Sequence, residues 1–287
     1  MKITDEHLLA QIQKKSLAMY LYFDEFCNEH KLIHYFCGGC CIGAIRHEGF
    51  IPWDDDIDIF MPRSDYERLK SLWQQKADLE RYPIMFPQEH FINHNLFITI
   101  ADAQTTYIRP YQKDLNIPQG IVLDIFPLDG LPAGKLARNV QIFWALLYSL
   151  FCAQLIPEKH GGIMAIGSRI LLTLVNKSSW RYKIWRYAEK QMSKYDFWQC
   201  QNTTELCAGV HYMMNSYPQK VFSNMVLKKF EGYMLPVPCG YDAYLKIAFG
   251  DYLQLPPKEK QVAHHDAIFV DLKHSYKKYK GKYYCVE

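Results

Sequence analysis

The chain has 287 residues, which is enough for one large domain or two small ones, and 49% of them are hydrophobic and 15% aromatic. That content excludes an intrinsically disordered protein and predicts a compact globular fold. The 33 basic and 30 acidic residues give a net charge of only +3, so bulk electrostatics do not favour nucleic-acid binding and we expect no nucleic-acid partner.

The N-terminal segment, residues 1–15, becomes polar and charged soon after the first lysine and contains no apolar run. This pattern is not that of a secretory signal, so we expect a cytoplasmic protein. Without an export signal, the nine cysteines are expected to be reduced thiols rather than a disulfide framework.

The first half of the chain predicts a mixture of helices and strands. Apolar side chains at helical spacing indicate helices, and β-prone or alternating runs indicate strands. The predicted helices are residues 5–30, with Thr4 as N-cap, 40–47 and 64–80. The predicted strands are residues 32–36, 56–61, 96–100, 106–108 and 121–126. The mixture indicates an α/β or α+β sheet domain; we favour α+β and assign the domain to residues 1–135.

Residues 136–219 have a different character, with long apolar and aromatic stretches and no strand alternation. The stretches at 139–156 and 161–175 predict a helical insertion. The stretch from 139 to 157 is the nearest to a transmembrane span, but polar residues interrupt it and it is shorter than the ~20 apolar residues that a bilayer core requires. We therefore favour a buried or surface-lying helix.

The segment from residue 177 to 190 carries five basic residues against one acid, with tryptophans and tyrosines between them. This composition suits either an anionic membrane surface or a solvated basic helix whose aromatic side chains pack inward. Residues 220–287 are punctuated by prolines and are expected to pack back on the first domain.

Two aspartates define the strand at 56–61. Asp56 and Asp58 share one face of that strand, where like charges repel unless a cation holds them together. Carboxylate oxygens without neighbouring histidines favour a hard ion, so Mg²⁺ or Mn²⁺ is expected. Asp54 continues the same parity, and Asp55 is expected to point away and brace the turn. An exposed acidic edge is the alternative, but the apolar residues on both sides of these acids argue against it.

A third strand, residues 121–126, carries the isolated Asp124, which a neighbouring place in the sheet would bring beside the first pair. Gly38 and Gly39 follow the first predicted strand, and a glycine lets the backbone approach a phosphate closely because it lacks Cβ. A glycine pair, an Asp-apolar-Asp strand and a single-Asp strand together form the layout of a nucleotidyltransferase-like fold, in which acids hold metal against phosphate.

The run GGCCIGAIRHEGFIPWDDDIDIFMPRSDYERL closely resembles the signature block of the LicD family of phosphocholine transferases. The resemblance continues through LDIFPLDG and into FEGYMLPVPCGYDAYLKIAFGDYLQLPP, and it covers nearly the full chain except the helical middle. It implies a nucleotidyltransferase-like mixed sheet flanked by helices. It also implies transfer of a phosphorylated alcohol, typically phosphocholine from CDP-choline, to a sugar hydroxyl of a teichoic acid, lipopolysaccharide or lipid-linked precursor, with release of CMP.

The resemblance also implies roles for individual residues. Asp56 and Asp58 would bind the metal, with Asp54 and Asp124 as further candidate ligands. Gly38 and Gly39 would line the phosphate turn. Asp124 is our candidate for the general base. One departure from the family pattern is the lack of a basic residue at 96–102, where many relatives carry one.

Other candidate substrate-binding residues have two interpretations each. Arg46 and His47 offer donors to phosphate oxygens, or cap helix carbonyls. A quaternary ammonium binds to aromatic faces, and Trp53 is the candidate for that contact or else a packed core tryptophan. His264 and His265 match a family position, where they contact nucleotide phosphate or lie in a polar loop.

Several alternatives remain open. Fukutin-related proteins, which move ribitol phosphate, are similar at the same block, so the donor could carry ribitol or glycerol phosphate. A catalytically inactive, membrane-associated binding protein of the same fold is another alternative. A thiol protein using Cys37 and Cys40 is the third; two glycines between the cysteines, and no second CxxC for a zinc site, argue against it. For the enzyme, we expect peripheral contact with the inner face of the cell membrane.

Overall fold

A computed structural model of the chain describes residues 5–155, 162–263 and 265–286, without the side chains of 162–164. Within these ranges the α-helices are α1 (Glu6–Glu29), α2 (Gly38–Arg46), α3 (Arg63–Lys76), α4 (Lys135–Ala153), α5 (Gly162–Leu174), α6 (Ser178–Met192) and α7 (Tyr241–Phe249). The strands are β1 (Tyr35–Phe36), β2 (Ile57–Pro62), β3 (Ile84–Met85), β4 (Ile98–Ala101), β5 (Thr106–Ile108), β6 (Val122–Leu131), β7 (Asn202–Glu205), β8 (Tyr217–Pro218), β9 (Met225–Phe230), β10 (Tyr233–Pro238) and β11 (Phe269–Asp271).

A mixed seven-stranded sheet forms the centre of the fold, in the order β1-β2-β6-β4-β3, with β7 paired to β6 and β8 paired to β7. Strands β2 and β6 run parallel, whereas β4 and β7 are antiparallel to β6. The first part of β6 lies between β2 and β4, and its last four residues pair with β7. The predicted α+β class is therefore confirmed.

Helices α1 and α3 pack against β2 and β6. Phe23 of α1 and Trp73 of α3 are fully buried, with ring centroids 5.9 Å apart. Full burial of a large apolar side chain stabilises a fold by ~1.5–3 kcal/mol. The two helices thus fix the strands that carry the predicted acids. The N-cap of α1 is Asp5, whose carboxylate accepts hydrogen bonds from the backbone of His7 and Leu8, and not Thr4, which lies outside the described residues.

The region predicted to be helical, 136–219, contains α4, α5 and α6 but returns to strand structure after them. Strands β7 and β8 lie in this region and extend the main sheet. The region is therefore mostly helical, and the two short strands at its end were not indicated by the sequence. The short run NTTE of β7 is polar and has no alternation of apolar residues, so it does not look like a strand. In the structure Thr203 and Thr204 are both fully buried.

The C-terminal part of the chain contacts the first half closely. Strands β9 and β10 form an antiparallel hairpin in which β9 contacts α2 and β10 contacts β1. Helix α7 also contacts α2. The hydroxyl of Tyr244 on α7 thereby reaches Gly38 at the N-terminal end of α2.

Candidate active site

A cavity of about 510 Å³ opens at the N-terminal end of α2, beside the start of β2. Its wall is unusual in combining several acids with several aromatic rings. The acids are Asp54, Asp56, Asp58 and Glu205, and the aromatic residues are Trp53, Phe60, Phe126, Tyr212, Tyr244 and Phe249. Gly38, Gly39 and His265 also line it. Most of the residues predicted from the sequence to bind metal or substrate therefore meet in one place.

The acids of the cavity interact with one another. Asp56 and Asp58 are half-buried, while Asp54 is buried at 5% exposure. Burial raises the pKa of Asp58 well above its usual range, and the charges of Asp56 and Asp124 raise it further. Burial also raises the pKa of Asp54, and Asp56 adds to the effect. Carboxylates arranged in this way favour a bound cation, because it relieves both the repulsion and the loss of hydration.

Asp124 lies directly opposite Asp58 in the parallel pair formed by β2 and β6. The hydroxyl of Thr99 donates a hydrogen bond of 2.9 Å to Asp124 Oδ1. Burial raises the pKa of Asp124, although the guanidinium of Arg109 and the Thr99 hydrogen bond lower it in part. Asp124 is not among the residues that line the cavity. It thus stands beside Asp58 in the sheet rather than in the cavity wall.

The two glycines make room for the acids. A Cβ on Gly39 would lie 2.1 Å from Oδ2 of Asp54, which is closer than atoms can approach. Gly38 has φ of +51°, and a Cβ there would lie 3.6 Å from Oδ2 of Asp58. Its backbone N–H donates to the Tyr244 hydroxyl at 2.9 Å. Both glycines line the cavity. The missing side chain of Gly39 makes room for Asp54, whereas Gly38 has a positive φ that favours glycine.

Asp55 does not point away from the site, as the strand parity predicted. Its carboxylate accepts a hydrogen bond from the Tyr107 hydroxyl at 3.0 Å and lies 3.2 Å from Nδ1 of His265. The same imidazole nitrogen lies 3.7 Å from Oδ2 of Asp56. The parity argument failed because residues 54–56 precede β2, which begins at Ile57.

His265 changes the chemistry expected of the site. Burial lowers its pKa, but the hydrogen bond with Asp55 and the charges of Asp56 and Asp55 together raise it to about 9. Asp55, Asp56 and His265 each present one ligand atom, and these atoms lie within 4.8 Å of one another. The residues therefore fit a divalent cation. The sequence argument considered carboxylates without a nearby histidine, whereas His265 lies beside Asp55 and Asp56. An imidazole ligand would suit transition metals such as Mn²⁺.

Three predicted substrate-binding residues do not line the cavity or are not described. Arg46 donates to the carbonyl oxygens of Tyr252 and Gln254 at 2.8 and 3.3 Å, and its Nε donates to His47. Arg46 therefore holds the segment after α7, and His47 accepts a hydrogen bond from Arg46. His264 lies outside the described residues. Trp53, in contrast, is half-buried and lines the cavity.

Four groups at the site were missed in the sequence. Glu205, Tyr212, Tyr244 and Arg109 come from β7, α7 and short irregular segments, and no local pattern links them to the acids. Arg109 directly follows β5. Burial lowers the pKa of its guanidinium, but Tyr111 and the charge of Asp124 outweigh this and raise it. The position of Arg109 directly after β5 is the only local signal that the sequence offers for it.

The cysteines of the opening motif are not exposed thiols. Cys37, Cys40 and Cys41 are buried and free. Burial raises the pKa of all three thiols. A redox or nucleophilic cysteine needs an accessible thiolate, so this geometry does not suit the thiol alternative.

Comparisons with known proteins agree with this geometry. The model of the family LicD/FKTN/FKRP, nucleotidyltransferase domain, matches residues 31–132, a range that includes the glycines, the acids of β2 and Asp124. The chain is 30% identical over 252 residues to "Lipopolysaccharide cholinephosphotransferase LicD" of Haemophilus influenzae, covering 85% of this chain and 91% of that protein. An uncharacterized protein of Rickettsia typhi is 26% identical over 120 residues, 41% of this chain and 36% of that protein. With a match of this extent to a LicD protein, and with residues 31–132 matching the family model, the chain belongs to the LicD family.

Proposed function

We propose that the protein transfers phosphocholine from CDP-choline to a sugar hydroxyl of a cell-surface glycan, of the teichoic acid or lipopolysaccharide type, or of its lipid-linked precursor. CMP is the second product. The observation that carries this proposal is the cavity in which Asp56 and Asp58 face Gly38, in a chain that matches a cholinephosphotransferase along most of its length.

Asp56 and Asp58, with Asp54 and the Asp55–His265 pair beside them, are proposed to hold Mg²⁺ or Mn²⁺. When bound, the ion would neutralise the pyrophosphate of the donor and stabilise the oxygen that leaves with CMP. Gly38 and Gly39 leave the backbone of α2 accessible at its N-terminal end, where a helix favours anionic groups. The aspartates exclude a bare phosphate from the cavity by repulsion, so donor binding is expected to depend on the metal.

Deprotonation of the acceptor hydroxyl needs a carboxylate near the reacting phosphorus. Asp124 was the candidate from the sequence, and its position next to Asp58 supports a role at this site. Its hydrogen bond from Thr99 also orients the carboxylate. Since Asp124 does not line the cavity, we propose that it acts as a ligand or positioning residue, and that Asp56 or Asp58 is nearer to the acceptor.

Contact with the inner face of the cell membrane is proposed for helices α4, α5 and α6. Their exposed apolar side chains include Leu136, Val140, Phe143, Ile166, Ile170, Leu171, Leu174, Trp180 and Tyr187; we call this set the membrane face. Exposed basic residues such as Arg169, Lys177 and Lys183 lie on the same helices. Apolar side chains mixed with cations are suited to an anionic lipid surface.

Two features indicate that these helices contact a membrane rather than a soluble partner. Among the described helices, α4 is long and apolar enough to span a bilayer by length and composition, yet only 28% of its apolar window is buried. An apolar cavity of about 520 Å³ between α4 and α5, lined by Phe143, Leu147 and Leu171 among others, could take a lipid chain. A lipid-linked acceptor would then be presented at the surface where the enzyme binds.

The donor screen tests the proposal. Purified protein is incubated with Mg²⁺ or Mn²⁺ and CDP-choline, CDP-ribitol or CDP-glycerol, with and without an acceptor glycan, and CMP is measured. CMP release from CDP-choline alone among the donors is expected. Release from CDP-ribitol or CDP-glycerol instead would establish the alternative donor, and no release from any donor would favour the inactive binding protein.

A further inference from the structure

The aromatic residues of the cavity are not spread evenly around it. Tyr212 and Phe249 have ring centroids 6.0 Å apart at 59°, and Phe249 and Tyr244 are 6.3 Å apart at 82°. Tyr244 is in turn 5.6 Å from Phe60 at 66°. These four rings line one continuous part of the cavity at steep angles to one another; we call them the aromatic wall.

A buried carboxylate accompanies the aromatic wall. Glu205 lines the same cavity at 4% exposure. It accepts a hydrogen bond from the hydroxyl of Tyr217. Tyr212 and Glu205 line the same cavity. Burial raises the pKa of the Glu205 carboxyl to about 8, and a cation bound beside it would favour the ionised carboxylate.

Rings at steep mutual angles present several faces and edges to one small volume. A quaternary ammonium has no N–H to donate, so it binds through the faces of aromatic rings and through nearby negative charge. A primary ammonium, in contrast, requires hydrogen-bond acceptors around it. Phe249, Phe60 and the ring carbons of the tyrosines supply the first environment and few acceptors.

The aromatic wall also lies at a suitable place relative to the phosphate turn. The hydroxyl of Tyr244 accepts the hydrogen bond from Gly38 N–H, so the ring belongs to the wall while its hydroxyl touches the turn. Choline phosphate is a short molecule in which the ammonium is separated from the phosphate by two carbons. A site for the ammonium must therefore begin next to the site for the phosphate.

On these grounds we infer that Tyr212, Tyr244, Phe249 and Glu205 form the subsite for the quaternary ammonium of the donor. This inference rests on the proposed function, since it requires a donor that carries choline. It assigns the contact to the aromatic wall and not to Trp53, which lies next to the aspartates in the sequence. The cytidine of the donor is then left to the side of the cavity that Trp53 and His265 line.

The experiment compares donor and product binding. Dissociation constants for CDP-choline, CDP-ethanolamine, CDP-ribitol and CMP are measured by calorimetry with Mn²⁺ for the wild type and for Tyr212→Leu, Phe249→Leu, Glu205→Gln and Trp53→Leu. Tyr233→Leu serves as the control, because Tyr233 is 48% exposed on β10 and does not line the cavity. Thermal melting of each variant verifies that it is folded.

The subsite predicts a selective loss. Tyr212→Leu, Phe249→Leu and Glu205→Gln should each weaken CDP-choline binding roughly tenfold, leave CMP binding unchanged and reduce the preference for CDP-choline over CDP-ethanolamine. An equal loss for CMP and CDP-choline would overturn the inference, because the wall would then hold the cytosine. Selective loss in Trp53→Leu alone would also overturn it.

Failure of the proposed function gives a different result. If wild-type protein binds CMP but shows no preference for CDP-choline over CDP-ribitol, the donor assignment itself is wrong. If the wild type prefers CDP-choline and the three variants keep that preference, the donor assignment stands and only the subsite is wrong.

Discussion

Asp58 and Asp124 face each other across the parallel strands β2 and β6, one residue from each strand at the same level of the sheet. The pair holds two acids on neighbouring strands where burial would otherwise favour apolar residues, and burial followed by the charges of Asp56 and Asp124 raises the pKa of Asp58. The arrangement reduces the stability of the metal-free protein, which suggests that the acids are there to bind a cation.

Asp58→Asn should therefore separate stability from activity. Removing one charge should stabilise the metal-free protein by ~1 kcal/mol or more, while CMP release falls at least roughly a hundredfold. Melting temperatures with and without Mn²⁺ give the stability, and Mn²⁺ should raise the melting temperature of the wild type but not of the variant. Asp251→Asn, at an exposed position, is the control. Asp56→Asn should behave like Asp58→Asn, and an active double variant would refute the metal assignment.

Gly39→Ala should disrupt the acid cluster by sterics alone. The new methyl would overlap Oδ2 of Asp54, at 2.1 Å, so we expect a loss of ~1–3 kcal/mol in the free energy of unfolding and much reduced CMP release. The matched control is Gly134→Ala, whose methyl would meet only Ala137 Cβ at 4.0 Å.

The cause of the Gly39→Ala effect is tested by a second substitution. Asp54→Ala in the Gly39→Ala background removes the atom that clashes and should recover stability but not activity. If stability stays low in the double variant, the clash with Asp54 is not the reason for the loss.

The stability of the protein should depend on Glu205 in a defined pH range. Burial raises its pKa from 4.5 to about 8. Because the folded-state pKa is raised, the contribution of Glu205 to stability is fully present below about 4.5 and is lost as the pH rises through about 8. Urea unfolding of metal-free protein at pH 6 and pH 9 should show Glu205→Gln gaining on the wild type by a few kcal/mol at the higher pH. An unchanged difference between the two proteins would mean that Glu205 does not ionise in this range. The aspartates are common to both proteins, so their titration cancels.

The membrane face predicts binding that depends on both charge and apolar side chains. Flotation with vesicles that contain anionic lipid should recover the wild type at low salt and lose it at high salt. Each of Lys177→Gln and Lys183→Gln should weaken binding roughly fivefold, on the order of 1 kcal/mol for each cation removed, and Trp180→Glu should weaken it by removing an apolar contact. Leu227→Glu, on exposed β9, is the control. A protein that stays unbound at low salt would contradict the proposal.

Substitution of the buried cysteines tests the thiol alternative. Cys37→Ser and Cys40→Ser should keep CMP release within a few-fold of the wild type, provided that melting shows both proteins to be folded, since neither thiol is accessible. In the folded wild type, a thiol reagent at pH 8 should label the half-exposed Cys239 before either of them. Loss of activity in a folded serine variant would restore the thiol alternative.

The sequence was most informative where local geometry decides the outcome. Alternation within β2 predicted that Asp58 lies on the other face of the strand from Ile57 and Ile59. An isolated aspartate in the apolar run of β6 indicated a second acid beside it. Alternation could not be extended backwards to Asp54 and Asp55, because those residues are not in a strand. The direction of Asp55 was wrong for that reason.

Contacts between distant parts of the chain were not predictable in this way. Glu205 reaches the cavity only through the register of β7 on β6, and Tyr244 only through the packing of α7 against α2. Neither residue belongs to a motif, and the polar run NTTE does not resemble a buried strand. Arg46 is the reverse case, a residue of the family block that was predicted to bind substrate. It forms hydrogen bonds to the carbonyl oxygens of Tyr252 and Gln254 instead.

The pairing of β6 with β7 has a consequence for how the family can diversify. Leu131, where the chain leaves the sheet, is the register partner of Asn202, where it returns. The segment between them, which contains α4, α5 and α6, therefore leaves and rejoins the sheet one strand spacing apart, and strand pairing alone does not fix its length. Arg138 and Gln141 of α4 donate hydrogen bonds to the Thr204 hydroxyl and the Gly130 carbonyl of the sheet. Changes in this segment that keep those contacts can alter the surface it presents while the acids on β2 and β6 remain as they are.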